Sequence, residues 1–192
     1  MKKPTIGVLA LQGDFKEHLA ALLKCGVPCR EVRLPSELDG VDGLIIPGGE
    51  STTIGKLMKL CQMDAAIAAH YRRGMAIWGT CAGAILLAKE IIGNSQPSLG
   101  LMDISVKRNE YGRQIDSFEA ELDIKGIGGL HGVFIRAPVI HKTGKNAEIL
   151  ASLDGNPVLA RQGKLLASTF HPELSGSTKV HEYFVGMAGN ID

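Results

Sequence analysis

Short unbroken apolar runs alternate with amphipathic stretches through the first half of the chain. The runs are Thr5–Leu11 (TIGVLAL), Gly43–Ile46 and Met75–Trp78, and Arg30–Leu34 reads as a further short strand. Continuous, partly β-branched runs of this length predict strands buried on both faces, as in a parallel sheet. Between the first two, Phe15–Lys24 spaces Leu19, Leu22 and Leu23 as the inner face of a helix, with Asp14 as N-cap and Gly26 past its end. Pro35–Leu38 reads as a turn or short helix. Ile54–Leu60 and Asp64–Arg73 read as helices, the second stopped by Gly74. Ala84–Glu90 is a further helix-forming run. Strands and helices alternating in this way predict an α/β fold.

From Met102 onward the texture changes. Asp103–Lys107, Ser117–Ile124, Gly132–Ile135, Ala147–Ser152, Pro157–Arg161 and Leu165–Thr169 predict mostly antiparallel strands. Asp154-Gly155-Asn156 and Gln162-Gly163-Lys164 are hairpin connections, Ile127–Leu130 reads as loop, and Ser177–Met187 as a final helix packed back on the sheet. No repeat or low-complexity linker interrupts the chain, so residues 1–192 are expected to form a single domain.

Composition narrows the function. At 192 residues, 45% hydrophobic and 21% charged, the chain can bury an ordinary globular core. A formal net charge of +1 offers no electrostatic case for nucleic acid or an anionic membrane surface, and 5% aromatics offer no base-stacking platform. No apolar run is long enough to span a bilayer, and Ile6–Leu11 is too short for a signal-peptide core. The expectation is a cytoplasmic protein with neither membrane nor nucleic-acid partner. Cys25 and Cys29 have no matching second pair and no nearby His, so no metal site is expected. Cys25, Cys29 and Cys61 read as buried structural thiols in a reduced compartment.

Cys81 differs because of its setting. Gly79-Thr80-Cys81-Ala82-Gly83 lies between an apolar strand and a helix-forming run. A nucleophile elbow needs that context: flanking glycines remove Cβ atoms from a sharp turn, and the turn lifts the side chain above the sheet. There a helix N-terminus favours thiolate over thiol, and the Ala82 N–H points toward a developing oxyanion. The same pentapeptide also fits a tight turn around a small buried Cys. A second glycine turn, Pro47-Gly48-Gly49-Glu50-Ser51-Thr52-Thr53, follows another strand. Its exposed N–H groups suit a carboxylate or oxyanion, and it lacks the spacing of a Walker loop or a dinucleotide fingerprint.

A cysteine nucleophile needs a base, and the base an orienting partner. Of the six histidines, His18, His70 and His181 fall on predicted helices and read as structural or solvent-facing. His131 and His141 read as loop residues without a telling acidic partner. His171 follows a strand, in Phe170-His171-Pro172-Glu173, where an α/β fold assembles its sites and where Glu173 can reach the imidazole. Taken alone, H-P-E fits an ordinary surface turn equally well.

Taken together and in this order, the Pro47–Ser51, Gly79–Gly83 and Phe170–Glu173 segments resemble the class I, or triad, glutamine amidotransferases. Further blocks, Gly7–Gly13, Glu50–Thr53, Arg108–Gln114, Asp116–Glu119 and Gly132–Pro138, resemble the glutaminase subunits of pyridoxal 5′-phosphate synthases. The resemblance implies a flavodoxin-like three-layer α/β fold, with a mixed, mostly parallel central sheet between helices and antiparallel additions in the C-terminal half. It implies hydrolysis of L-glutamine to L-glutamate and ammonia through a thioester, with Cys81 as nucleophile, His171 as base and Glu173 orienting His171. Gly49 and Ala82 would supply the oxyanion hole. Gly49, Glu50, Ser51, Arg108, Ile135 and Arg136 would bind glutamine, a guanidinium such as Arg108 taking the carboxylate and Glu50 or backbone carbonyls the ammonium. No cofactor is implied. The implied partner is a separate (β/α)₈-barrel synthase subunit in a large hetero-oligomer, which receives the ammonia and activates the glutaminase on docking. A peptide flip at Gly48-Gly49 would complete the oxyanion hole, and Gln12 is a candidate contact with the synthase. The alternative is a glutaminase serving another acceptor, such as imidazole-glycerol phosphate synthase, which the Glu50–Thr53 and Arg108–Gln114 blocks argue against. Cysteine peptidases on flavodoxin-like folds keep their base nearer the nucleophile in sequence. A non-catalytic binding domain would be expected to have lost the nucleophile or base.

Overall fold

A computed structural model describes residues 3–108 and 117–189. The strands are β1 (Ile6–Leu9), β2 (Cys29–Val32), β3 (Gly43–Ile46), β4 (Ala76–Thr80), β5 (Ala88–Ile92), β6 (Met102–Lys107), β7 (Ser117–Ile124), β8 (Gly128–Ile135), β9 (Val139–Thr143), β10 (Glu148–Leu153), β11 (Asn156–Gln162) and β12 (Leu165–Ser168). The helices are α1 (Phe15–Lys24), α2 (Ser51–Leu60), α3 (Met63–Arg72), α4 (Ala82–Leu87) and α5 (Lys179–Gly189). A seven-stranded sheet runs in the order β10-β11-β12-β4-β3-β1-β2. Strands β12, β4, β3, β1 and β2 are parallel, and β10 and β11 extend the edge antiparallel. A three-stranded sheet β5-β6-β9 and the hairpin β7-β8 are added outside it.

Strands β1, β3 and β4 are buried along their whole length because both faces are covered, whereas the edge strand β2 exposes Arg30 and Glu31. Along β4, Ala76 and Trp78 enter one core and Ile77 the other; β3 and β12 alternate likewise. Helices α2, α3 and α4 supply Ile54, Met58, Ile67 and Leu86 to the layer around Ile77, while α1 and α5 supply Leu22, Val180 and Phe184 to the layer around Trp78. This is the three-layer α/β architecture that the alternation of runs predicts.

Several expectations are corrected. Ala88-Lys89-Glu90, read as helix, begins β5, because pairing with β6 overrides helix propensity once α4 ends at Leu87. Leu23, read as inward-facing, is 68% exposed. Ile127–Leu130, read as loop, enters β8, where Gly128 and Gly129 pair with Ile124 and Asp123. Val139–Thr143 forms β9, which the pattern did not single out, and His141 lies on it. His131, read as a loop residue without an acidic partner, lies on β8 between Glu119 and Glu121 at 2.9 and 2.6 Å. Asp14 stands at the N-cap of α1 without making a side-chain cap bond.

His18 and His181 are both fully buried against Trp78. Burial lowers the pKa of each, that of His181 to about 4. Unfolded His181 takes up a proton near its ordinary value of 6.5, so between these values the unfolded chain binds more protons and stability falls as the pH falls. His181 thus contributes up to about 3 kcal/mol to the acid sensitivity of folding. The expected result is a drop in urea midpoint from pH 7 to pH 4.5 that is smaller in His181→Leu than in the native chain. Equal drops would refute this origin.

Candidate active site

Ordinary strand endings build the site. The chain leaves the carboxyl ends of β1, β3, β4 and β12, four neighbours in the sheet, through Gln12–Asp14, Pro47–Glu50, Cys81 and Thr169–Glu173. Their loops converge on one cleft of about 420 Å³, lined among others by Gln12, Gly49, Cys81, Arg108, Arg136 and His171. The carboxyl edge of a parallel sheet, where strand order reverses, is the expected location for a site in this architecture.

Cys81 turns directly from β4 into α4 with φ 48° and ψ −102°. Such backbone strain costs on the order of 1–3 kcal/mol, and it concentrates at functional positions. The neighbouring glycines are sterically obligatory: a Cβ on Gly79 would run into the Gly83 carbonyl, and one on Gly83 into the Ile46 carbonyl. The Cys81 N–H is anchored to the Ser168 carbonyl at 2.8 Å, tying the elbow to β12. Its Sγ lies 3.8 Å from the Ile135 carbonyl, so the end of β8 roofs the thiol. Arg136 follows with φ 43°, a second strained residue on the cleft.

His171 is buried, its N–H held by the Val133 carbonyl at 2.8 Å. Its Nδ1 lies 2.7 Å from Glu173 Oε1, and Cys81 shares the cleft with it. Burial alone would lower its pKa; the hydrogen bonds and charges of Cys81 and Glu173 outweigh burial and push it up to about 10. Burial raises the Glu173 pKa, with the His171 hydrogen bond opposing. A protonated imidazole between a cysteine and a buried carboxylate suits nucleophile activation and proton return. Asp14, at the end of β1, places Oδ2 3.6 Å from His171 Nδ1, and burial raises its pKa as well. Asp14, His171 and Glu173 present ligand atoms within 4.8 Å of one another. The short Nδ1–Glu173 bond engages the nitrogen a cation would need, so this group reads as a hydrogen-bonded triad with an adjoining carboxylate.

On the far side of the cleft, Glu50 caps α2 through the Thr52 and Thr53 N–H groups at 3.1 and 2.7 Å. The Thr53 hydroxyl bond, together with these amides, overcomes partial burial and lowers its pKa to about 2. Arg108 donates to Glu50 Oε1 at 3.2 Å, Thr52 Oγ1 at 3.0 Å and Gln96 Oε1 at 2.8 Å. Glu50 is therefore already bound to Arg108 and the helix start. Ser51 Oγ also meets Gln96 Oε1, at 3.3 Å. Gln12 Oε1 accepts the Glu50 N–H at 2.8 Å, and the Gly48 carbonyl accepts the Asp14 N–H at 3.1 Å, pinning the glycine turn to the end of β1.

The structure thus brings Gln12, Gly49, Glu50, Ser51, Cys81, Ala82, Arg108, Ile135, Arg136 and His171 to one cleft, with Glu173 behind His171. Residues 109–116, the rest of the Arg108–Gln114 block and the start of the next, lie outside the described residues. Sequence reasoning missed Asp14 and Gln96 as site residues. The position of Asp14 at the carboxyl end of a parallel strand was a usable signal; the loop residue Gln96 carried none.

Comparison with known proteins decides the lineage. Residues 8–190 match the model of the SNO glutamine amidotransferase family. The chain belongs to that family. Within it, a pyridoxal 5′-phosphate synthase subunit PdxT from Thermus thermophilus is 53% identical over 186 residues, 96% of this chain and 97% of that protein. A protein of the same name from Herpetosiphon aurantiacus is 56% identical over 189 residues, 95% of this chain and 100% of its own length. A crystal structure described as a glutamine amidotransferase superposes with a TM-score of 0.93 at 52% identity, covering 96% of this chain and 98% of that one. A putative GMP synthase component from Thermoplasma acidophilum, at TM-score 0.72 and 18% identity over 99% of this chain and 96% of that one, shares the fold alone. The class I amidotransferase fold and family therefore stand together with the site described above.

Proposed function

We propose that this chain is the glutaminase subunit of a pyridoxal 5′-phosphate synthase, releasing ammonia from L-glutamine for use by a synthase subunit. Cys81, strained at the elbow and backed by His171 and Glu173 on the floor of the cleft, carries the reading. Cys81 Sγ attacks the side-chain amide carbon of glutamine, and its proton resides on His171. The Ala82 N–H and, once the Gly48–Gly49 peptide has turned, the Gly49 N–H face the developing oxyanion; losing one such donor costs roughly 3 kcal/mol of barrier. His171 protonates the departing ammonia, leaving a γ-glutamyl thioester. Water, deprotonated by His171, then attacks the thioester, and glutamate leaves as Cys81 is regenerated. Glu173 keeps the imidazole in the tautomer both steps need. Arg108, Ser51 and the Ile135–Arg136 backbone orient the amino-acid end of glutamine.

Ammonia passes to the (β/α)₈-barrel synthase subunit, with the two kinds of subunit in one hetero-oligomer. Docking turns the Gly48–Gly49 peptide, which requires the Asp14–Gly48 bond to break, and Gln12 at the same rim meets the synthase. The test is glutamate release from glutamine with and without a pyridoxal 5′-phosphate synthase subunit. Release that rises strongly when the synthase is added supports the reading. High release from the isolated chain would remove the gating step, and no release in either condition would overturn the function.

A further inference from the structure

Behind the triad lies a chain of buried polar groups that the reaction as written does not use. Glu173 has two carboxylate oxygens, and His171 takes only Oε1. Oε2 makes no hydrogen bond of ordinary geometry, yet His18 Nε2 lies 3.3 Å from it, with both side chains fully buried. His18 Nε2 also stands 3.1 Å from Thr80 Oγ1, on the residue that precedes the nucleophile. On its other side, His18 Nδ1 lies 3.0 Å from His181 Nε2, and His181 Nδ1 has no partner. One run of contacts therefore joins α5, α1, the elbow strand and the triad carboxylate.

Proton counting selects one arrangement. Both imidazoles are held neutral, so each carries a single N–H. Were His18 protonated on Nδ1, it would donate to His181 Nε2. His181 would then carry its proton on Nδ1 as a buried donor without an acceptor, and Glu173 Oε2 would face a lone pair. With the proton on His18 Nε2 instead, the N–H meets Thr80 Oγ1 at 3.1 Å and presents its positive end 3.3 Å from Glu173 Oε2. Nδ1 then accepts from His181 Nε2–H, and only a lone pair on His181 Nδ1 is left over. An unpaired buried donor or a bare buried carboxylate oxygen is costly, so the second arrangement prevails.

We propose that His18 is a positioning residue of the glutaminase site, its Nε2–H bridging Thr80 Oγ1 and, electrostatically, the Glu173 Oε2 that stands 3.3 Å away, in a tautomer fixed by His181. Held at both oxygens, Glu173 keeps Oε1 on His171 Nδ1. Without that hold, Asp14, whose Oδ2 stands 3.6 Å from the same nitrogen, competes for it. The groups facing this network are His181 from α5, Thr80 and Trp78 from β4, Asp14 from the end of β1, and His171 with Glu173 from the turn after β12.

The proposal rests on the glutaminase reading, and its test separates the two. In the complex with the synthase subunit, His18→Phe is expected to lower kcat by about tenfold to a hundredfold, as loss of an orienting partner does elsewhere. KM stays nearly unchanged, because His18 does not line the cleft. The basic limb of the kcat/KM profile, which reports loss of the imidazolium proton, moves to lower pH as Glu173 holds His171 less well. His18→Gln, whose amide N–H can replace Nε2–H, recovers part of both effects. Native kcat and pH profile in His18→Phe, or equal impairment of both variants with an unmoved limb, would overturn the proposal. Should His18→Phe not fold, ¹⁵N NMR of the histidines in the native full-length chain decides directly: a bare Nδ1 and protonated Nε2 at His18 are expected, and the opposite tautomer refutes it. A native complex that does not turn over glutamine counts against the glutaminase reading alone and leaves the tautomer measurement intact.

Discussion

Cys81→Ala is expected to abolish glutamine turnover, by on the order of 10⁴-fold or more, because the nucleophile of a triad enzyme has no substitute. The fold tolerates the change. Cys81 is small, its Sγ makes only a long contact with the Ile135 carbonyl, and alanine at φ 48° carries the strain that cysteine carried. Cys81→Gly is just as inactive, yet more stable, by about 1 kcal/mol. It relieves a strained φ costing on the order of 1–3 kcal/mol and gives back part as the extra chain entropy of glycine. The pair of variants therefore separates chemistry from folding. Glutamate release with the synthase subunit measures the first, and urea unfolding the second. A Cys81→Gly chain less stable than Cys81→Ala would show that the elbow is relaxed at this position. Residual turnover in both variants would show that another group attacks glutamine.

Much of this site was legible because its parts are local. Gly79–Gly83 could be read as an elbow from two glycines and a cysteine between a strand and a helix, and the elbow is where the structure puts it. Helix α1 and strands β3 and β7 fall at the residues expected of them, since continuous or alternating burial leaves a period that a short window detects. Where tertiary pairing overrides local preference, the reading fails. Ala88-Lys89-Glu90 favours helix and becomes strand because β6 lies alongside, and Gly128-Gly129 favours a loop and becomes strand because β7 supplies its partners. The least legible features join distant segments. His18 and His181 are 163 residues apart, and each taken alone is an unremarked histidine on a helix. Asp14 to His18 is a single helical turn, which places both on the face toward His171, but the base itself had first to be placed. Arg108 was legible only through family resemblance; nothing in its neighbourhood announces that Glu50, Thr52 and Gln96 converge on it.

Gly83→Ala is expected to be severely damaging for the addition of a single methyl. The added Cβ would run into the carbonyl of Ile46, with the Ile46 carbonyl carbon at 2.9 Å and its Cβ at 3.2 Å. Backbone on one side and a close-packed β3 on the other leave no flexible side chain to yield. The conflict cannot be relieved by moving α4 outward, because Gly79 is packed against the Gly83 carbonyl, and all residues of α4 are buried. Overpacking of this kind, met by backbone, costs about 3 kcal/mol or more. The displacement also reaches function, since Ile46 leads straight into Pro47-Gly48-Gly49 and Gly83 follows Ala82, so both proposed oxyanion donors move together. Urea midpoints measure the loss. Gly129→Ala is the control: no atom lies within 4 Å of its Cβ, and its backbone is ordinary, so its midpoint should remain at the native value. If Gly83→Ala unfolded with the same midpoint as Gly129→Ala, the close packing of α4 against the end of β3 would be refuted. The claim that the elbow glycines were required by sterics would fall with it. If stability fell as expected while the folded fraction kept native glutamine turnover, the oxyanion donors would have to lie elsewhere than at Gly49 and Ala82.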